Sequence, residues 1–157
     1  MAKRVYVETS VISYLTARPI RDLVVAAHQE ISRLWWEFER AKYDLCASEA
    51  VLQEARAGDS AAAEQRIDLL AAFTILEINV EVETLAREIL DRGAMPPPAA
   101  LDALHVAVAA WHGMDYLLTW NCRHIASAHV RPRIDAICRA KGIEAPQLCT
   151  PEELMEA

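Results

Sequence analysis

VYVETSVISYL, residues 5–15, sets a β-branched and aromatic run directly against an acid, two hydroxyl side chains and a resumed apolar pattern. The run predicts a buried first strand over residues 3–8. Thr9 or Ser10 then caps a short helix that reaches about Thr16. An acid that ends a buried strand needs a partner, so Glu8 is the first position that asks for a chemical reason.

Outward from this stretch the pattern alternates. Residues 22–42 repeat apolar side chains at Val24, Ala27, Ile31, Leu34, Trp35 and Phe38, one face of a long helix, and YDLCA (43–47) predicts a second strand. Ser48 is a suitable N-cap for a helix over 49–57, which Gly58 and Asp59 end before another helix over 61–71. FTILEI (73–78) predicts a third strand, and 80–92 a helix that Gly93 ends. MPPP (95–98) is a stiff connector with no helical interior. ALDALHVAVAAWH, 100–112, is apolar nearly all round and predicts a helix packed deep against a sheet. YLLTW (116–120) is a fourth strand and 129–141 an amphipathic helix. A short apolar run around Gln147 to Cys149 precedes a last turn in which Thr150 and Glu153 form a capping box. Strands alternating with helices imply an α/β fold with a mostly parallel sheet covered on both faces, in a single domain over residues 1–157.

The chain of 157 residues is long enough to bury a core without disulfides or metal staples. Its 54% apolar and 25% charged residues, with no low-complexity tract, describe a folded, soluble protein. No apolar run approaches the roughly 18 residues that span a bilayer, and the N-terminus lacks the order of a signal peptide, so the expected location is cytoplasmic, with no membrane partner. A formal charge of −7 excludes a protein coated in basic surface for nonspecific nucleic-acid binding, although it leaves room for a local basic groove. Cys46, Cys122, Cys138 and Cys149 show no zinc-type spacing and read as reduced core thiols. Trp35, Trp36 and Trp111 read as core or interface residues.

In a parallel sheet the C-terminal ends of strands and the N-terminal ends of helices share one edge, where open α/β folds bind ligands. Glu8 closes the first strand, Glu54 lies in the second turn of the helix after the second, Asp102 begins the buried helix before the fourth, and Asn121 closes the fourth. These four residues are expected to meet. The same rule discards Asp44 and Asp115, at the opposite edge, and Glu77, in a peripheral strand. Glu49 is five residues before Glu54, about 140° away around the helix. His105 and His124 stand close to the acids in sequence, with a structural role as the simpler reading. Converging carboxylates repel one another unless a cation sits between them, and an oxygen-rich donor set suits Mg2+ or Mn2+. The chemistry that follows is metal-assisted phosphodiester hydrolysis.

VETS (7–10), SEAVLQEARAG (48–58), LDALHVAVA (101–109) and YLLTWNCRHIA (116–126) together resemble the PIN domain family, especially bacterial toxins of VapC type. The resemblance implies a three-layer α/β/α sandwich and a Mg2+- or Mn2+-dependent ribonuclease, held inactive by a small antitoxin and often homodimeric. It places Glu8, Glu54 and Asp102 on acidic metal-binding positions, Asn121 on the fourth acidic position and Ser10, beside Thr9, in support of the first acid. The RNA-binding residues stay unassigned. Two positions depart from the family pattern. Glu8 stands where aspartate is usual and is one methylene longer, and Asn121 keeps an oxygen but not a charge. The competing expectation is a catalytically weak PIN-like module that binds RNA or a protein partner. A phosphatase with an aspartyl nucleophile would need DxD at the first strand, where this chain has Glu8, Thr9 and Ser10.

Overall fold

Val5, Tyr6 and Val7 are fully buried, as a strand covered on both faces requires, and they belong to the first strand, β1 (Lys3–Val7). The computed structural model describes residues 1–156. β2 (Tyr43–Ser48), β3 (Thr74–Leu76), β4 (Tyr116–Leu118) and β5 (Gln147–Cys149) join β1 in a five-stranded sheet of order β3-β2-β1-β4-β5, with every pairing parallel. Register sets Val5 beside Leu45 and Tyr116, and Val7 beside Leu118. Gln147–Cys149 carried no strand signal because three residues are too few to show a period. They pair with β4 along its whole length.

Among the described residues eight α-helices connect and cover the strands: α1 (Thr9–Thr16), α2 (Leu23–Phe38), α3 (Glu49–Arg56), α4 (Ser60–Leu70), α5 (Val80–Asp91), α6 (Ala100–Trp111), α7 (Val130–Ala140) and α8 (Pro151–Leu154). α1 packs on α2, α3 and α4, while α5 packs along α6. The chain leaves β1 toward β2 and β3, then crosses to β4 and continues to β5. Right-handed crossovers put connections of opposite direction on opposite faces, which yields the three layers. β1 and β4 are neighbours whose onward connections diverge, the switch point at which such sheets form a crevice.

Several local expectations change. Glu8, rather than Thr9 or Ser10, is the N-cap of α1: its own carboxylate accepts from Ser10 N, so no separate capping residue fits between strand and helix. α2 ends at Phe38, and Arg40–Lys42 form a 3-10 turn, with Arg40 Nη1 donating to the Trp36 carbonyl at the helix end. Its buried face is Gln29, Ser32 and Trp35, whereas Val24 and Phe38 are 64% and 63% exposed. The polar pair is tolerated inside because it is bonded: Ser32 Oγ accepts from Trp120 Nε1 at 2.7 Å, and Gln29 Nε2 donates to the Arg18 carbonyl at 3.0 Å. Pro97–Ala99 form a 3-10 turn leading into α6, rather than a non-helical connector, because a first turn needs no internal N–H from proline. Cys122 is exposed, unlike the three other cysteines, and all four are free. The Thr150–Glu153 capping box is present at α8. Among the described residues no helix is long and apolar enough to cross a membrane.

Leu117 is fully buried in β4 beside Tyr6. Leu117→Ala is expected to cost about 2–5 kcal/mol, read as a lower urea midpoint with an unchanged m-value.

Candidate active site

Glu8 sits one residue beyond β1, where its backbone N–H still donates to the Leu118 carbonyl at 2.9 Å and so extends the ladder to β4. Its side chain is buried, and three donors meet it. Oε2 accepts from Ser10 N at 3.0 Å, and Oε1 accepts from Ser10 Oγ at 2.6 Å and from Thr119 Oγ1 at 2.5 Å. Both hydroxyls also accept from the chain after β4: Trp120 N donates to Ser10 Oγ and Asn121 N to Thr119 Oγ1, each at 2.9 Å. A carboxylate offers about four acceptor positions, so one of Glu8's stays open, on Oε2.

Glu54 reaches the same place from the second turn of α3. Thr9 Oγ1 donates to its Oε1 at 2.8 Å, and His105 Nε2 lies 2.5 Å from that oxygen. Burial works against the charged form of Glu54, but the His105 hydrogen bond and charge, with the Thr9 hydroxyl, outweigh it and hold the carboxyl below its ordinary 4.5. His105 is fully buried on α6, and its Nδ1 is 2.7 Å from the Tyr6 hydroxyl. That hydroxyl is in turn 2.8 Å from Ser48 Oγ, which explains why Ser48, at the start of α3, makes no cap bond. Burial pushes the Tyr6 phenol far above its usual range, so it acts here as a neutral hydroxyl.

Asp102 lies in the first turn of α6, and His124 Nδ1 is 3.0 Å from its Oδ2. Asn121 Oδ1 accepts from His124 N at 2.9 Å and so shapes the loop that presents the histidine. The four expected residues therefore form two adjoining groups. Glu8 and Glu54 come together, and with His105 they bring one ligand atom each to within 4.8 Å of one another. Asp102 falls outside that cluster and pairs with His124, next to Asn121. Thr9 supports the second acid and Ser10 the first.

Sequence reasoning passed over Tyr6 and undervalued His105. The signals were a phenol two residues before Glu8, on the same face of the strand, and a histidine one helical turn after Asp102 in an otherwise apolar helix.

The donor chemistry fits a hard divalent cation. Glu54 Oε2 and Asp102 Oδ1 accept no hydrogen bond among the described residues, although the two side chains are only 31% and 23% exposed. Partly buried carboxylate oxygens without donors are the ligands that Mg2+ or Mn2+ takes, commonly one or two carboxylates with water completing the shell.

The class of protein is a doubly wound parallel sheet with acids gathered where the onward connections of β1 and β4 diverge. The PIN domain family model matches residues 5–130, and the chain belongs to that family. The FitAB structure bound to an IR36 DNA fragment is 19% identical, with a TM-score of 0.62, covering 97% of this chain and 98% of that one. VapC20 of Mycobacterium tuberculosis, described as a sarcin-ricin loop cleaving toxin, is 22% identical with a TM-score of 0.55 over 72% of this chain and 86% of its own. VapBC2 from Rickettsia felis, bound to a DNA fragment from its promoter, is 15% identical with a TM-score of 0.52 over 73% and 86%. At these identities the shared property is the fold. No curated protein matches the sequence significantly.

A carboxyl whose pKa is depressed by folding stabilises the fold above its unfolded value and loses that contribution as pH falls through the folded one. The stability difference between wild type and Glu54→Gln is therefore expected to be full at neutral pH and to shrink below 4.5. Urea denaturation across pH reads this directly, and a difference constant with pH would contradict it.

Proposed function

We propose that the protein is a Mg2+- or Mn2+-dependent endoribonuclease and the toxin of a type II toxin-antitoxin pair. The observation that carries this reading is the meeting of Glu8 and Glu54 at the β1–β4 switch point, with Glu54 Oε2 free of donors among the described residues at the end of a buried hydrogen-bond network. Glu8, Glu54 and Asp102 hold the cation, Ser10 positions Glu8, and Asn121 assists by fixing the loop that carries His124. When bound, such an ion supplies an activated water and neutralises charge developing on a phosphate. The hydroxyls of Thr9, Ser10 and Thr119 keep the carboxylates from turning away from that position, which matters because misplacement of about 1 Å is costly in rate.

The substrate in this reading is RNA, and with a net charge of −7 its binding is local to the site rather than spread over the surface. A small antitoxin is the expected protein partner, in keeping with neighbours solved as VapBC and FitAB assemblies. A homodimer is supported by the exposed apolar residues Leu23, Val24 and Phe38 on α2, and by Ile20 just before it. The cytoplasm is the expected location.

Two observations favour a second reading, a catalytically weak module that binds RNA or a protein partner: Asn121 Oδ1 is already engaged by His124 N, and three of Glu8's acceptor positions are filled. Calorimetry separates the two, since a module of this kind binds its partner but takes up no Mg2+ or Mn2+ at millimolar levels.

Asp102→Ala is expected to abolish Mg2+-dependent RNA cleavage and to relieve growth inhibition on expression. Full activity in that variant would overturn the nuclease reading.

A further inference from the structure

Five side chains form one hydrogen-bonded line that ends at the acid cluster. Ser48 Oγ is 2.8 Å from the Tyr6 hydroxyl, the hydroxyl 2.7 Å from His105 Nδ1, and His105 Nε2 2.5 Å from Glu54 Oε1, which also accepts from Thr9 Oγ1. Ser48, Tyr6 and His105 are each 0% exposed. Burying three polar side chains is costly unless they satisfy one another, and once satisfied such a network has little freedom to rearrange.

Glu8, Glu54 and His105 place one potential ligand atom each within 4.8 Å of one another. By composition, two carboxylates and an imidazole would suit zinc or iron as readily as magnesium. The hydrogen bonds argue otherwise. At 2.5 Å from a carboxylate oxygen, Nε2 is hydrogen-bonded to it, as donor through its N–H or as acceptor through its lone pair, and in either tautomer that position is taken by Glu54 rather than left open to a metal. Nδ1 is occupied by Tyr6, so a flip of the ring would exchange two satisfied nitrogens for two orphaned partners.

We propose that Tyr6 and His105 are positioning residues that keep nitrogen out of the metal shell and present Glu54 through Oε2 alone, making the centre selective for hard, oxygen-seeking divalent cations. The proposal rests on the metal-centre reading above. His105 anchors one oxygen of Glu54, and Tyr6 anchors His105 in the orientation that does so. Zinc readily takes imidazole, but the histidine that clusters with Glu8 and Glu54 among the described residues is already bonded at both nitrogens.

The test uses Mn2+ bound to the full-length protein, read by calorimetry and by electron spin-echo envelope modulation, which detects a nitrogen bonded to the ion. Wild type is expected to bind Mn2+ with no directly bound nitrogen. Tyr6→Phe and His105→Phe are expected to weaken Mn2+ binding on the order of 10-fold, the scale of losing a histidine that orients a ligand. Tyr6→Phe should also raise the Zn2+ to Mn2+ affinity ratio, since it releases His105. In a Glu54→Gln background neither substitution should change Mn2+ affinity further, whereas a merely structural role would act regardless of residue 54. A nitrogen coupling in wild type that disappears in His105→Phe would overturn the proposal while leaving the metal centre standing, as would wild-type Mn2+ affinity in Tyr6→Phe. Absence of Mn2+ binding by wild type would overturn both.

Discussion

The anchoring of Glu8 is the constraint on which the crevice depends. The chain passes from β1 into α1 without a loop, so the residue at the junction must both end a strand and cap a helix. Glu8 does this with one side chain: Ser10 N reaches one oxygen, while Ser10 Oγ and Thr119 Oγ1 reach the other. The two hydroxyls then accept the backbone N–H groups of Trp120 and Asn121, so the segment leaving β4 is tied to the acid that ends β1. Thr9, between them, reaches across to Glu54. Two consecutive residues, Thr9 and Ser10, therefore bond two acids that lie 46 positions apart in the chain.

The apolar frame supplies the rigidity that these bonds need. α6 is buried on nearly every side, through Ala103, Val106, Ala107 and Val108, so its direction is set by packing. That packing puts His105 inside and Asp102, one turn earlier, at the rim. α2 contributes from the other layer: Ser32 accepts the indole N–H of Trp120, and His28 stacks on the same ring with centroids 3.9 Å apart. The residue preceding Asn121 is thus clamped on its ring as well as its backbone, and the loop that presents His124 to Asp102 begins from a fixed point.

Most of this architecture was legible in the sequence, because strand and helix periods alternate and the edge rule then selects among the acids. That rule brings Glu8 and Glu54 together as expected, whereas Asp102 lies outside their cluster and pairs with His124. What escaped were features that depend on side-chain reach. A glutamate curling back to cap its own helix has no periodic signature, and Thr9 or Ser10 is the better cap by propensity. The inner face of α2 was misjudged for a related reason: Gln29 and Ser32 look solvent-facing by type, and only their partners Arg18 and Trp120, from other elements, make burial tolerable. The Tyr6–His105–Glu54 line links residues from three elements, and no local window contains it.

The extra methylene of Glu8 acquires a physical reason in this setting. An aspartate carboxylate at position 8 would sit closer to the backbone by about one bond length, roughly 1.5 Å. Thr119 Oγ1 is only 2.5 Å from Glu8 Oε1, and Ser10 Oγ only 2.6 Å, so a retreat of that size would break bonds that join β1 to β4. Glutamate thus keeps the acid attached to both strands, at the cost of filling most of its acceptor positions. Glu54 and Asp102 show the complementary pattern, each with one oxygen held by a histidine and the other without a donor among the described residues. Hydrogen bonding is thereby divided unequally among the three acids: Glu8 chiefly ties β1 to the chain after β4, while Glu54 and Asp102 are each tied through one oxygen.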